Sequence, residues 1–370
     1  MRLCTAVWRY MGFRQLLRCQ LAVAGLFISN FAFILSASSL YRLGLVYLRD
    51  EQLARLATLL YCFNPASIFH SAIYTESLFA LFAFAGLEAC SLDRFFAAAP
   101  WFALATATRS NGLLLALHPF IHALQSACTN VSSRCYWRAV RSLAAGAMQC
   151  AVTAAPLVAF QWYGYSLFCR GEQWQESPRP WCSGPLPYIY GFIQSHYWHV
   201  GFLKYFEMKQ APNFALAGPV VAITIAGVLH YARFDVKSFA TAALWCDDAA
   251  PGYQSCLQSE PTLLRKSHRA ANTSRLHNDT SVDSSHVNLS RHRGRGSASR
   301  IENRLMASPV FEGDPSAGGK EDAGYCNHRI VSLVYQWGLM VFIGVFVMNV
   351  QVTTRFVSTC PPLYCIKMLK

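Results

Sequence analysis

Polar and ionisable side chains interrupt an apolar stretch that runs from Phe63 to Phe84. They are Asn64, His70, Tyr74 and Glu76. A charged side chain at the centre of a bilayer costs about 2.5–3.5 kcal/mol on insertion scales, so such groups face a cavity, a partner or water. The stretch therefore predicts a polytopic membrane protein with a polar internal site.

Glu76 is the one acidic residue of this stretch, and its context allows two interpretations. A carboxylate here could carry a proton, bind an ion or contact a sugar. Alternatively, the run Thr75-Glu76-Ser77 could begin a helix, where a negative charge is favoured by the helix dipole. The sequence alone leaves both interpretations open.

A second polar group interrupts the next apolar region. Arg109, Ser110, Asn111 and Gly112 separate the runs Phe95–Thr108 and Leu113–Leu124. A guanidinium grips phosphate oxygens bidentately, so Arg109 is a candidate anchor for a phosphate or pyrophosphate. The alternative is an interfacial turn between two short helices.

Aromatic side chains are concentrated in the polar segment 170–211. Tyr and Trp accumulate at the headgroup level of membranes, which predicts an interfacial helix. A compatible interpretation makes Gln194, His196, Tyr197 and Trp198 one wall of a polar site, with Lys204 as a further candidate.

Cysteine and histidine spacing argues against a metal centre. Most of the 14 cysteines lie singly in apolar runs, where a thiol behaves as a small hydrophobic group, and no CxxC pair occurs. His118 and His122 have i,i+4 spacing but no third ligand, so we expect packing and no metal site. Cys169 and Cys182 flank a short polar loop and form a candidate disulfide if that loop faces an oxidising lumen.

Composition indicates a membrane protein. Of the 370 residues, 54% are hydrophobic and 14% are charged, and the mean hydropathy is +0.24. Soluble domains carry about 25% charged residues. The net charge of +13 is accompanied by no nucleic-acid-binding motif, so we expect no nucleic-acid partner.

Hydrophobic runs predict an all-α fold with seven or eight membrane segments. A spanning helix needs about 20 apolar residues, a length reached by Leu21–Tyr41, Leu143–Cys169, Phe214–Ala232 and Ile330–Val350. The region Leu56–Leu124 is broken into shorter pieces at Asn64-Pro65, Tyr74-Thr75-Glu76, Asp93-Arg94 and Arg109–Gly112. Short and broken helices are typical of segments that line a cavity.

The chain divides into three regions. Residues 1–232 form a membrane region, residues 233–328 a polar, basic insert that we predict to be disordered, and residues 329–370 a last membrane segment with a tail. The excess of basic residues favours a cytoplasmic insert. Three glycosylation sequons, at Asn272, Asn278 and Asn288, would matter only in the lumen.

Several runs in order resemble the PIG-V family, the family of GPI mannosyltransferase 2. They are Phe63–Ser67, Tyr74–Leu81, Leu104–Gly112, Pro180–Cys182, Ile193–Phe214 and Gln351–Phe356. The resemblance covers most of the chain apart from the first twenty residues and the insert.

The resemblance implies a multi-pass GT-C-type glycosyltransferase of the endoplasmic reticulum. Such an enzyme takes mannose from dolichyl-phosphate mannose on the lumenal side and adds the second mannose, in α1,6 linkage, to the glycosylphosphatidylinositol (GPI) precursor. The reaction is one inverting displacement, with a carboxylate as general base and cations at the leaving phosphate. It needs no cofactor beyond the lipid donor, and a small membrane partner subunit is expected.

Expected roles follow from polar side chains in an apolar context together with their positions in the matched runs. Arg109 is expected near the donor phosphate, and Asn111, Gln194, Tyr197 and Trp198 near the sugars, with Glu76 and Lys204 as further candidates. If Leu143–Cys169 exits into the lumen, the loop 170–211 and its two cysteines are lumenal.

One part of the family pattern does not occur in this sequence. The family's acidic motif, His-Trp-Asp, is absent, and we expect the chain to lack the family's N-terminal region and C-terminal end. The remaining carboxylates in plausible places are Glu76, Glu172, Glu176 and Glu207. None of them can be assigned as the general base by matching the family's motif. Two alternatives therefore stay open, a non-catalytic membrane subunit of the GPI pathway and a transporter with broken helices.

Overall fold

The computed structural model describes residues 2–170, 179–184, 187–234, 236–242, 244 and 330–365, with side chains from residue 19 to residue 364. Its α-helices are α1 Arg2–Leu48, α2 Glu51–Cys62, α3 Ser67–Ser71, α4 Glu76–Ser91, α5 Phe95–Thr108, α6 Leu117–Ser132, α7 Tyr136–Phe168, α8 Ile189–Trp198, α9 Ala211–Phe234, α10 Val236–Ala240, α11 Val331–Phe346, α12 Thr353–Val357 and α13 Pro362–Cys365. Three 3₁₀ segments accompany them: Ser110–Ala116, Met208–Gln210 and Val350–Val352. The described residues contain no strand, so the all-α prediction is confirmed.

Helix breaks fall where the sequence predicts them. Asp50 caps α2, since its carboxylate accepts hydrogen bonds from the backbone N–H groups of Gln52 (2.8 Å) and Leu53 (3.1 Å). After α2, Asn64 Oδ1 accepts from the backbone N–H of Ala66 at 2.7 Å, which closes a turn across Pro65. The other predicted breaks coincide with the starts of α4 and α5 and of the first 3₁₀ segment.

The chain is a multi-pass membrane protein. Within the described residues, three stretches are long and apolar enough to cross a bilayer: Cys19–Leu48, Tyr136–Phe168 and Met208–Phe234. Two shorter apolar helices, Phe95–Thr108 and Val331–Phe346, accompany them. The predicted total of seven or eight also counts other short helices of the bundle, such as α4 and α6. The predicted span Ile330–Val350 is shorter than expected, because its helix ends at Phe346.

The core of the bundle lies around α4, which packs against α1 and α5. Small residues on α4 let its neighbours approach closely: the ring of Phe102 lies where a Cβ on Gly86 would stand. The largest fully buried side chains include Trp337, Tyr61, Tyr231, Phe79, Phe84 and Phe102.

The two ends of the bundle are distinguished by short connections. α4 runs from Glu76 to Ser91, and residues 92–94 turn the chain into α5, so Arg109 returns to the end that holds Glu76. We call this the Glu76 end. At the opposite end, Arg42 of α1 forms a two-pronged ion pair with Glu88 of α4 (2.7 and 3.0 Å).

The described residues extend the helical region slightly beyond the predicted start of the insert. Residues 236–242, which the sequence assigns to the disordered insert, include α10, and Gln125 Nε2 donates to the carbonyl of Ala242 at 2.9 Å. Most of the insert lies outside the described residues. The chain after Phe346 folds back into the core, where Val357 and Cys360 are buried, because its apolar side chains lose contact with water there.

Candidate functional site

A buried carboxylate lies at the centre of the Glu76 end. Glu76 Oε1 accepts hydrogen bonds from Arg355 Nε at 2.8 Å and from Arg355 Nη2. It also forms an ion pair with Arg109 Nη1 at 2.5 Å. The Glu76 side chain is 2% exposed, whereas those of Arg109 and Arg355 are 17% and 23% exposed. We call these three residues the Arg-Glu-Arg cluster.

Two helix termini and one short helix bring the cluster together. Glu76 is the first residue of α4, so its charge also lies favourably near the helix N-terminus. Glu76 therefore begins a helix, as one interpretation predicted, and it also forms ion pairs inside the bundle. Arg109 follows α5 with an extended backbone (φ −152°, ψ 136°), which turns its side chain out of the helical path. Arg355 lies in the short helix α12.

Aromatic rings hold the two guanidiniums. Arg355 lies over Phe69, with 4.2 Å from Cζ to the ring centroid, and over Tyr74, at 5.1 Å. Arg109 lies over Phe356, at 5.4 Å. Such cation–π contacts fix the orientation of the guanidinium planes as well as adding attraction.

A second polar layer ties the same segments together beneath the cluster. The buried His70 places Nε2 3.2 Å from Ser358 Oγ and Nδ1 3.5 Å from the hydroxyl of Tyr61. Its carbonyl accepts from Ser77 Oγ. The segment that carries Arg355 is therefore anchored to α3 through the Ser358–His70 contact and to α4 through the contacts of Arg355 with Glu76. His70 in turn links α3 to α2 and α4.

Helix α8 joins the site through the residue that follows Arg109. Ser110 Oγ and the hydroxyl of Tyr190 lie 2.5 Å apart, and the backbone N–H of Tyr190 donates to Gln161 Oε1 of α7 at 3.3 Å. Asn111 Oδ1 and Gln161 Nε2 are buried without a hydrogen-bond partner among the described residues. These two amide atoms can bind a polar ligand.

The other candidates from the sequence lie further along α8 and after it. Tyr197 and Trp198 are 67% and 61% exposed, Gln194 is half-buried, and Lys204 is exposed. None of the described hydrogen bonds or ion pairs joins these side chains to the Arg-Glu-Arg cluster. The structure therefore brings together Glu76 and Arg109, with Asn111 adjacent in the chain, and leaves the other four on a neighbouring surface.

The remaining acidic and sulfur candidates have separate positions. Cys169 and Cys182 are joined by a disulfide, with their Cα atoms 5.6 Å apart. Glu207 pairs with Lys209 on the surface. Glu172 and Glu176 lie outside the described residues.

Arg355 is the site residue that sequence reasoning missed. It lies in the run Gln351–Phe356, which carries part of the family resemblance. The signal that could have found it was a single basic residue in an apolar C-terminal region, but its partner is 279 positions away in the chain.

The histidine pair of α6 is engaged in packing and hydrogen bonding. His118 places Nε2 2.7 Å from Gln336 Oε1 and Nδ1 3.0 Å from Ser332 Oγ. His122 stacks on Phe95 with 3.7 Å between ring centroids. In the described part of the chain, no three His, Cys, Asp or Glu side chains come close enough to hold a metal ion.

The arrangement suits the binding of an anion. One carboxylate and two guanidiniums leave the cluster with one excess positive charge, and arginine N–H groups match phosphate and carboxylate geometry.

Comparison with known proteins agrees with this chemistry. The sequence matches the family described as "Mannosyltransferase (PIG-V)" over residues 5–368. No solved structure matches the chain.

Several curated relatives have similar sequences. GPI alpha-1,6-mannosyltransferase 2 of Mus musculus is 33% identical over 213 residues, 52% of this chain and 43% of the relative. The human protein of the same name is 34% identical over 214 residues, 52% of this chain and 43% of the relative. GPI mannosyltransferase 2 of Chaetomium globosum is 36% identical over 231 residues, 55% and 49% of the two chains.

The aligned part thus spans a little under half the length of these relatives. Because the family match extends over nearly all of this sequence, the chain belongs to the PIG-V mannosyltransferase family.

Proposed function

We propose that this chain is a GT-C-type mannosyltransferase that transfers mannose from dolichyl-phosphate mannose to a GPI precursor, as the second mannose and in α1,6 linkage. The observation that carries the proposal is the family match over residues 5–368, and the names of its relatives support the acceptor and the linkage. The Arg-Glu-Arg cluster supports a substrate with a phosphate group, since it presents excess positive charge.

The proposed location is the membrane of the endoplasmic reticulum, with the Glu76 end facing the lumen. The disulfide between Cys169 and Cys182 follows directly after α7, whose last residue is Phe168. Disulfides persist in oxidising compartments. Since α6 leaves the Glu76 end and α7 returns to it across residues 133–135, the disulfide supports a lumenal site.

The proposed reaction is an inverting displacement at the anomeric carbon of mannose. Arg109 stabilises the charge that develops on the leaving phosphate. Asn111, with its unpartnered Oδ1, is proposed to accept a hydrogen bond from a sugar hydroxyl. Gln194, Tyr197, Trp198 and Lys204 are proposed to contact the sugars or headgroups from the surface of α8 and the loop after it. The partners are then the lipid-linked donor, the GPI-precursor acceptor and a small membrane subunit, and no cofactor is needed.

The direct test is mannosyl transfer in microsomes from cells that lack the endogenous activity. With this chain expressed, dolichyl-phosphate mannose and an acceptor carrying one mannose, we expect a product with a second, α1,6-linked mannose. Arg109→Ala should lower the rate at least about tenfold, as loss of a charge-assisted contact to the leaving group does.

Arg42→Ala is the matched control, because this arginine also forms a two-pronged ion pair with a glutamate but lies at the opposite end. A folded chain that gives no transfer would contradict the proposal and favour a non-catalytic subunit. Sugar flux into sealed vesicles without transfer would favour a transporter.

A further inference from the structure

We propose that Arg109 and Arg355 together bind the phosphate of an isoprenoid phosphate, and that Glu76 is a positioning residue that holds the two guanidiniums side by side. That this phosphate is the leaving group of the glycosyl donor rests on the proposed function; the binding site itself does not.

The first support is the unused hydrogen-bonding capacity of the cluster. Each guanidinium has five N–H donors. Glu76 uses Nη1 of Arg109 and Nε and Nη2 of Arg355, so Nη2 and Nε of Arg109 and Nη1 of Arg355 remain. Two adjacent guanidiniums with one excess positive charge match a phosphate monoester, whose three terminal oxygens accept several charge-assisted hydrogen bonds.

The second support is the gradient of exposure across the cluster. The carboxylate is almost fully buried, whereas the two guanidiniums reach the surface, at 17% and 23%. A ligand approaching from outside therefore meets the cations first. Glu76 lies behind them and cannot be reached by an acceptor hydroxyl in this arrangement, which argues for a positioning role and against a role as general base.

The third support is an apolar surface beside the cluster that suits an isoprenoid chain. Phe63, Ile68, Ile73 and Tyr74 are exposed on and around α3, and Tyr74 also contacts the Arg355 guanidinium. A free phosphate or a sugar phosphate would gain nothing from these side chains. A branched hydrocarbon attached to the phosphate would bury them, and burial of apolar area is favourable.

The test is equilibrium binding of radiolabelled farnesyl phosphate to the purified full chain in detergent micelles. Farnesol, inorganic phosphate and dioleoylphosphatidylglycerol serve as competitors. We expect farnesyl phosphate to bind at least about tenfold more tightly than farnesol, as a charge-assisted pair of hydrogen bonds provides. Neither inorganic phosphate nor the phospholipid should compete at the same concentration.

Variants separate the roles of the three residues. Arg355→Ala should reduce the preference for farnesyl phosphate over farnesol at least about tenfold, and Arg355→Lys severalfold, since a point charge replaces a fork. Glu76→Asp keeps the charge but withdraws the carboxylate by one methylene, so it should also weaken the preference severalfold. Arg42→Ala should leave it unchanged. Thermal unfolding identifies variants that fail to fold. If Arg355→Ala does not fold, the binding preference of Arg355→Lys and of Glu76→Asp tests the inference in its place.

Four results would overturn the inference. They are an unchanged preference in the folded Arg355 variants, an unchanged preference in Glu76→Asp, equal competition by the phospholipid, and equal competition by inorganic phosphate. A chain that shows the expected preference but transfers no mannose contradicts only the proposed function. A chain that transfers mannose while Arg355→Ala keeps its preference contradicts only this inference.

Discussion

The charge of Glu76 is stabilised by the N-terminus of α4 and by two arginines from distant parts of the chain. Its Oε1 accepts two hydrogen bonds from Arg355 and forms an ion pair with Arg109, while Oε2 is buried without a partner in the described structure. Burying charges costs several kcal/mol per ion, and the attraction between close partners repays that cost only while all of them are present. The cluster should therefore be sensitive to the loss of any one member.

Glu76→Ala is expected to destabilise the protein by about 3–5 kcal/mol, because it leaves two adjacent guanidiniums partly buried without their anion. The measurement is the thermal unfolding midpoint in detergent micelles. Glu88→Ala is the matched control, since Glu88 also pairs bidentately with an arginine, Arg42, which is 54% exposed. That variant should lose about 0–1 kcal/mol. Equal losses in the two variants would contradict the description of the Glu76 cluster as a buried one.

At the scale of elements, the turn between α5 and the first 3₁₀ segment places the Arg109 side chain in contact with Glu76. Gly112 permits this turn: its backbone N–H donates to the carbonyl of Arg109 at 2.9 Å. A Cβ at this position would lie 2.5 Å from the backbone nitrogen of Thr106 and 2.6 Å from its Cα. Since these are backbone atoms, the turn itself would have to move.

Gly112→Ala is therefore expected to lose about 1–3 kcal/mol of stability, the range for overpacking, and to lower farnesyl phosphate binding by displacing Arg109. Unfolding midpoints and the binding assay check both effects. Gly218→Ala in α9 is the control, because a methyl group added there would meet nothing within 4 Å. It should be neutral or stabilising by about 0.5–1 kcal/mol, since alanine favours helix. A neutral Gly112→Ala would show that the turn tolerates a side chain.

The C-terminal segment is the second element that builds the site. α12 contributes Arg355 and Phe356 to the cluster, and the hydroxyl of Tyr364 in α13 donates to the carbonyl of Ser358 at 2.7 Å. Tyr364 also packs edge-on against Tyr61, with 5.6 Å between ring centroids. The site thus depends on the C-terminal segment, from which the sequence analysis named no candidate site residue.

At the scale of the whole molecule, the bundle has two chemically different ends. The Glu76 end carries the Arg-Glu-Arg cluster and, just after α7, the disulfide. The opposite end carries the connections 92–94 and 133–135. The proposed function requires the first end to face the lumen and the second to face the cytoplasm.

Cysteine labelling in sealed microsomes tests this orientation. Arg134→Cys, in the connection between α6 and α7, should react with a membrane-impermeant maleimide without permeabilisation. Glu207→Cys, in the exposed segment before α9, should react only after the membrane is permeabilised. The unsubstituted chain gives the background from its free cysteines, which include Cys135. The reverse pattern would put the site on the cytoplasmic side and contradict the proposed function.

Much of the local structure could be predicted from the sequence. The apolar runs indicated the helices, and Asn64-Pro65, Asp93-Arg94 and Arg109–Gly112 indicated their ends, because turn and cap chemistry acts within a few residues. Glu76 and Arg109 were also predicted as site candidates, since a charged side chain in an apolar context is costly. Their pairing was not predicted, because it depends on how α4 and α5 return to one end.

By itself, the sequence determined the class of the protein, an all-helical membrane chain with polar residues at its helix breaks. Hydropathy and the positions of helix-ending residues depend only on neighbouring residues, so they can be recognised in the sequence before the tertiary structure is known. Only the tertiary structure decided that Arg355 completes the cluster, across a separation of 279 residues. It also decided that the tail is core and that Gln194, Tyr197, Trp198 and Lys204 lie apart from Glu76. The physical reason is that contacts between distant segments follow from the packing of side chains in three dimensions, which no spacing along the chain encodes.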